Sequence, residues 1–197
     1  MILGAVVGLF ADVHGAHGTL SRALAACRAE GVATIALLGD LVDRTEQADA
    51  CALALAEWHV VGVYGNHERE IALAAARQEV ELRGETIRLL SDLRERVVIE
   101  DVCLTHEGDE WGQVNPLLRV LGAPEVPAHA PDARITFAGH THYRHARDER
   151  GAIDIARGRL TLDPRRRYLI NPGALASGQF AIWDRTTQVI QFRQVEH

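Results

Sequence analysis

The sequence predicts an α/β fold built from βαβ units, followed by a strand-rich C-terminal part. Three observations carry this. Apolar runs of strand length alternate with helical patterns through the first half of the chain. After "RITFAG" (134–139) the pattern changes to short strands separated by turn residues. Five of the apolar runs also end in Asp, Asn or His, at the place where an α/β sheet delivers side chains to a ligand.

The elements follow in order. "ILGAVVGLF" (2–10) reads as a core strand, and "GTLSRALAACRAEG" (18–31) as a helix, since Leu20, Leu24 and Cys27 recur at helical spacing before a closing glycine. "TIALL" (34–38) is the second strand, an Ala/Leu-rich helix covers 46–57, and "HVVGVY" (59–64) is the third strand. Helical stretches cover about 68–82 and 85–94, and "RVVIEDVCLT" (96–105) follows as a further apolar run. Residues 145–195 read as mostly antiparallel short strands with turns at Arg150-Gly151, Asp163-Pro164 and Arg185-Thr186. Between 107 and 133, Pro116, Pro124, Pro127 and Pro131 mark one long irregular excursion. With no linker, repeat or low-complexity segment, residues 1–197 are expected to form a single domain.

Composition narrows the function classes. A net charge of −6 argues against general nucleic-acid binding, and all 21 basic residues are arginine. Cys27, Cys51 and Cys103 are odd in number and far apart, with no C-x-x-C, which excludes a disulfide framework and a thiolate zinc site. The apolar start lacks a basic region before it and runs into Asp12 and His14, so a first core strand is expected and not a signal peptide. No apolar run approaches the roughly 20 residues that span a bilayer. A cytoplasmic protein without membrane association is expected, and the sequence is silent on oligomeric state.

The strand ends hold the chemistry. "FADVHG" supplies Asp12 and His14, "LLGDLVDR" Asp40 and Asp43, and "VYGNHE" Asn66 and His67; "CLTHEG" supplies His106, and "FAGHTH" His140 and His142. Asp12, Asp40 and Asn66 are spaced by 28 and then 26 residues, about one βαβ unit each. Each cluster also has an ordinary reading: Asp12 or Asn66 could cap a helix, and Gly39-Asp40 could be a plain turn. Five such coincidences at the strand ends of one sheet argue for a common site. In an extended chain His140 and His142, two apart, would face a common point. A nitrogen and oxygen donor set without thiolate suits Mn²⁺, Fe or Zn²⁺. Two divalent ions about 3.5–4 Å apart need a bridging ligand, which a central carboxylate such as Asp40 can supply.

Taken in order, "DVHG", "GDLVDR", "GNHE", a histidine after an apolar strand, and "GHTH" resemble the motif set of calcineurin-like metallophosphoesterases. The resemblance covers almost the whole chain, and "INPGALASGQFAIWD" (170–184) is similar to the Asn-Pro-Gly segment and closing strands of small bacterial members. It implies a four-layer α/β/β/α sandwich with two mixed sheets flanked by helices. It departs from the family where Glu107 separates His106 from Gly108, and where Thr45 follows Arg44 in place of the glycine of the protein-phosphatase branch. The first half therefore leans toward protein phosphatases and the second toward small bacterial phosphodiesterases.

Carried over residue by residue, the resemblance implies that Asp12, His14, Asp40 and His142 hold one metal ion. Asn66, His106, His140 and again Asp40 would hold the second. The two histidines of "GHTH" would thus serve different ions. The resemblance makes His67 the general acid that protonates the leaving alkoxide, with Asp43 orienting its imidazole. Arg44 could clamp phosphate oxygens or form a surface ion pair. Trp111 could stack on a base or simply anchor its loop. His59, His17, His129, His145 and His197 receive no role beyond strand start, surface or site rim, and Arg165-Arg166-Arg167 reads as a solvated turn.

The expected function is a dinuclear, Mn²⁺-dependent phosphoesterase in which metal-bound hydroxide attacks phosphorus in line. A small phosphodiester is the favoured substrate. A Ser/Thr protein phosphatase or nucleotide pyrophosphohydrolase is the enzymatic alternative, and a non-catalytic interaction scaffold on the same fold is the alternative of another class.

Overall fold

The run Val6–Phe10, buried from Val7 onward, forms the first strand, β1. The two following runs form β2 (Thr34–Leu38) and β3 (His59–Val63), parallel to it and to each other. The computed structural model describes residues 2–77, 79, 81–107 and 133–196. Helix α1 (His17–Ala29) buries Leu20, Leu24 and Cys27, the residues whose spacing predicts it. Helices α2 (Thr45–Leu55) and α4 (Gly84–Asp92) fall close to their expected positions, whereas α3 (Asn66–Ala76) starts two residues early and ends well short of the expected 82. Of the 107–133 excursion only Glu107 and Ala133 are described, so Trp111, His129 and the four prolines lie outside the described residues, as does His197.

The run 96–105 is two strands, β4 (Arg96–Ile99) and β5 (Val102–Thr105), paired antiparallel. Glu100, at φ 55°, takes the left-handed conformation that lets a two-residue turn reverse the chain. The apolar pattern continues across that turn, which conceals it in the sequence. The remaining strands are β6 (Ile135–Phe137), β7 (His145–Asp148), β8 (Gly151–Ala152), β9 (Arg159–Thr161), β10 (Tyr168–Asn171), β11 (Gln179–Asp184) and β12 (Val189–Gln194).

Two six-stranded mixed sheets result, in the orders β3-β2-β1-β11-β12-β9 and β4-β5-β6-β10-β7-β8. In the first, β11, β12 and β9 continue antiparallel beyond the parallel β1–β3. In the second, β5, β6 and β10 are mutually parallel. Alternate residues of each strand face opposite sides. Leu9, Ala36 and Val63 of the first sheet therefore meet Leu104, Phe137 and Ile170 of the second in one buried cluster. Phe137 and Trp183 meet within it, ring centroids 5.2 Å apart. Burying a side chain of this size contributes about 1.5–3 kcal/mol. The opposite faces of β1, β2 and β11 (Phe10, Ile35, Leu37, Phe180) join apolar residues of α1, α2, α3 and α4 in a second cluster. The architecture is the expected α/β sandwich with two mixed sheets and flanking helices.

The expectation of one common sheet is corrected. The five ligand-bearing clusters do not share a sheet: three follow β1, β2 and β3 of the first, and two follow β5 and β6 of the second. Parallel strands of both sheets point their carboxyl ends to the same end of the sandwich, which the sequence pattern alone reads as one edge. The Arg165-Arg166-Arg167 run forms the expected turn, with Arg165 and Arg167 exposed, and its side chains also make local bonds. Arg165 pairs with Asp163 at 2.8 Å, Arg166 with the buried Asp148 at 2.9 Å, and Arg167 donates to the Ala133 carbonyl at 3.0 Å.

Candidate metal centre and active site

The site is assembled from backbone that leaves the strands abruptly. Asp12, His14, Asp40, His140 and His142 all have φ between 49° and 67°, five of the seven described non-glycine residues in the left-handed region. That conformation costs an L-residue about 1–2 kcal/mol, and it persists where surrounding bonds over-determine it. Those bonds run between loops: Asp12 N–H to Gly39 O at 3.1 Å, His14 N–H to Asp40 O at 3.0 Å, and Gly139 N–H to His106 O at 3.1 Å. Hence "GHTH" is not extended and its two imidazoles do not face a common point.

His140 Nδ1 lies 3.3 Å from His106 Nε2, whereas His142 Nε2 lies 3.0 Å from His14 Nε2 and 3.7 Å from Asp12 Oδ1. Around Asp40 the contacts continue. Its Oδ2 is 3.2 Å from His106 Nε2 and 3.9 Å from His67 Nε2, and its Oδ1 accepts the His67 N–H at 3.1 Å. Asn66 Oδ1 is 3.2 Å from His106 Nε2. Three sets of donor atoms, each within 4.8 Å of one another, emerge: Asp12/His14/His142, His14/Asp40/His67 and Asp40/His106/His140. The structure thus brings all seven expected ligands together, with Asp40 in two of the three sets. It also sets His67, expected as an acid and not a ligand, within ligand reach of Asp40 and His14.

A model of the calcineurin-like phosphoesterase superfamily domain matches residues 6–190. The chain belongs to that superfamily. Membership assigns it the activity class, a hydrolase acting on phosphoric esters, and metal dependence. A metallophosphoesterase from Sphaerobacter thermophilus has a similar structure (TM-score 0.67, 24% identity, 98% of this chain and 88% of that one). A structure described as a novel archaeal phosphodiesterase matches with TM-score 0.61 at 14% identity, covering 96% and 99%. An uncharacterised protein of Methanocaldococcus jannaschii is 21% identical over 98% of this chain and 88% of its own length.

The superfamily's metal dependence is matched by the donor atoms. Asp12 is fully buried; Oδ1 accepts the His140 N–H at 2.9 Å, while Oδ2 has no hydrogen-bond partner among the described residues. A buried carboxylate oxygen without a donor suits a cation. His106 is also buried, and its Nδ1 faces the Leu38 carbonyl at 2.8 Å. Nδ1 must carry the proton, since a carbonyl only accepts, which leaves the Nε2 lone pair for a metal. A Cβ on Gly65 would overlap Asp40 Oδ1, so only glycine lets the third strand's loop come this close.

Charge follows from this packing. Burial pushes the Asp12 carboxyl above the usual carboxylate range, against the pull of His106 and His142. For Asp40 burial acts the same way but is outweighed by the hydrogen bond and charge of His106, with His67 adding to them, and the carboxyl sits below that range. His106 is raised in turn: burial resists its protonation, but the bond to Asp40 prevails.

Asp43 lies at the rim, its Oδ1 against His14 Nδ1 and 3.3 Å from His67 Nδ1. Arg44 is exposed beside it and forms no ion pair among the described residues. His17 is exposed at the start of α1, His59 meets Thr34 Oγ1 at 3.2 Å, and the His145 ring faces the Tyr143 carbonyl at 3.0 Å.

Two site residues escape sequence reasoning. Glu68, 2% exposed, accepts four backbone N–H groups with one carboxylate. Fully buried Asn171 donates to Gly139 O at 2.8 Å and Thr141 Oγ1 at 3.1 Å while accepting the Gly173 N–H at 2.8 Å, which fixes the "GHTH" loop. A signal existed for each. Glu68 stands at the third position of a helix after Gly65, where a glutamate reaches back to the chain entering the helix. Asn171 precedes Pro-Gly, a turn-forming context.

Proposed function

We propose that the chain is a two-metal phosphodiesterase acting on small phosphodiesters. The observation that carries the two-ion reading is Asp40, whose carboxylate belongs to two sets of donor atoms at once. Asp12, His14, Asp40 and His142 would hold one ion, and Asp40, Asn66, His106 and His140 the other. Mn²⁺ is the favoured metal, with Fe or Zn²⁺ compatible with the same donors. When bound, such a pair activates water as nucleophile and neutralises charge on the phosphoryl oxygens.

The protein's own groups would do the rest. Asp43 engages Nδ1 of His67 and leaves Nε2 to give its proton to the departing alkoxide oxygen. Arg44, exposed at the start of α2, would meet phosphate oxygens arriving from solvent. His140, His142 and Asn66 are exposed, so the centre opens outward and admits a substrate with two ester arms. Three free, buried thiols suit a reducing compartment, and we place the protein in the cytoplasm.

The test is metal content combined with turnover. Mn²⁺-loaded protein should hydrolyse diesters faster than phosphomonoesters or phosphopeptides, lose activity on prolonged chelation and regain it with Mn²⁺. Preference for phosphopeptides or dinucleoside polyphosphates would reassign the substrate to a protein phosphatase or pyrophosphohydrolase. No turnover with both ions bound would favour a binding scaffold.

A further inference from the structure

We propose that Glu68 is the positioning residue of this centre: from behind the site, it locks the loops bearing Asp40 and Asn66 in register without itself being a ligand. Its role toward two ions rests on the two-metal reading above. Oε2 accepts N–H groups from Asp40 and Gly65, both at 2.8 Å, and Oε1 accepts those of Leu41 at 2.7 Å and Val42 at 3.2 Å. One carboxylate therefore ties the loop after β2 to the loop after β3. All four partners are donors, so both oxygens must accept, which only a carboxylate does with two equivalent atoms.

The arrangement answers a specific need. Asp40 sits in the left-handed region at φ 52°, where its own preference would be to relax. Its carboxylate must nonetheless reach both His106 and the His67 backbone N–H, across the gap that Gly65 leaves open. Glu68 holds the N–H of Asp40 itself and of the two residues after it, so the left-handed turn cannot unwind. Because it grips Gly65 with the same oxygen, the spacing of Asp40 from Asn66 and His67 is fixed at one atom.

Glu68→Gln tests this sharply. The amide keeps the shape but offers one accepting oxygen, so it can serve either the Asp40/Gly65 pair or the Leu41/Val42 pair, not both. In metal-free protein, hydrogen exchange should accelerate at one pair of amides and stay slow at the other. Leu55→Ala, a core change in α2 (Leu55 is 2% exposed), should lower the melting temperature without this pattern. On Mn²⁺ titration by calorimetry, Glu68→Gln should bind at least one ion about 10–100-fold more weakly, the usual effect of losing a group that orients ligands. The paramagnetic signal of a coupled Mn²⁺ pair should give way to that of isolated ions, and kcat should fall with KM little changed. Should Glu68→Gln fail to fold, Glu68→Asp, one methylene shorter, serves for the same readouts. Unchanged exchange at all four amides, or two ions bound at wild-type affinity and coupling, would overturn the inference. A wild-type protein binding one ion would sink the two-metal reading while faster exchange in the variant still upheld the loop lock.

Discussion

The imidazoles of His14 and His67 meet edge to face, ring centroids 5.0 Å apart, and both turn Nδ1 toward the same oxygen of Asp43. A proposed metal ligand and the proposed general acid thus share one carboxylate. For each ring this leaves Nε2 as the working atom, with His14 facing His142 and His67 facing Asp40. A shared orienting group predicts a shared loss.

Asp43→Ala should therefore weaken binding of the ion assigned to His14 as well as impair proton delivery by His67. Removal of an orienting carboxylate behind a ligating histidine typically costs about 10–100-fold in affinity. Calorimetric titration with Mn²⁺ checks the first effect, and turnover at saturating metal checks the second. Normal affinity at both ions would confine Asp43 to His67, the narrower role that the family resemblance implies.

How much of this was legible beforehand follows from the residues themselves. Most strands, the helices and a set of seven candidate ligands could be proposed, because apolar periodicity ends abruptly at Asp12, Asp40, Asn66, His106 and His140, though not the break between β4 and β5. Periodicity says nothing about which sheet a strand joins, so the division between β1–β3 and β5–β6 stayed hidden until the resemblance implied two sheets. It also cannot reveal left-handed backbone at non-glycine residues, so periodicity alone made His140 and His142 look alike, and only the resemblance assigned them to different ions. The roles of Glu68 and Asn171 were harder to read although both stand inside quoted motifs, because their partners are chiefly main-chain groups, which carry no side-chain signature.

Asp40 supplies the next prediction. As the carboxylate in two donor sets it should matter to both ions, whereas His106 belongs to one set. Asp40→Asn removes the negative charge and should lower occupancy at both positions. His106→Ala should weaken chiefly the position that includes His140. Metal analysis after dialysis against graded Mn²⁺ would show two reduced occupancies in the first variant and one in the second. Two ions at ordinary affinity in Asp40→Asn would rule out the bridge.

A pH prediction concerns the turn between β11 and β12, far along the chain from the metal ligands. Asp184 Oδ1 accepts the N–H groups of Thr186 and Thr187 at 2.8 and 3.2 Å and the Thr186 hydroxyl at 2.6 Å. The Thr186 and Thr187 bonds lower its pKa from the ordinary 3.8 to about 2. The folded value lies below the unfolded one, so the stabilisation is complete above the unfolded value and fades as pH falls through the folded one. Asp184→Ala should accordingly be less stable than wild type at pH 5–6, and the gap should narrow between about pH 4 and 2. Urea midpoints measured on metal-free protein across that range would decide. A gap that stays constant with pH would mean that these bonds do not depend on the charge.

The last prediction separates acid from ligand at His67, which the geometry allows to be either, with Nδ1 3.3 Å from Asp43 and Nε2 3.9 Å from Asp40. If it delivers the proton, His67→Asn should keep both ions, and its catalytic loss should depend on the leaving group. An alkoxide of high pKa cannot depart unprotonated, and losing a positioned acid costs about 10²–10⁴-fold in rate. Nitrophenolate departs readily without a proton, so its release should slow far less. The measurement is the ratio of wild-type to mutant rates for an alkyl and a nitrophenyl diester, under conditions where chemistry limits turnover. A large ratio for the first and a small one for the second, with two ions retained, establishes the acid. Equal ratios with both ions in place would move the proton source elsewhere in the site. Loss of an ion would make His67 a ligand alongside His14 and Asp40, the set in which the structure already places it.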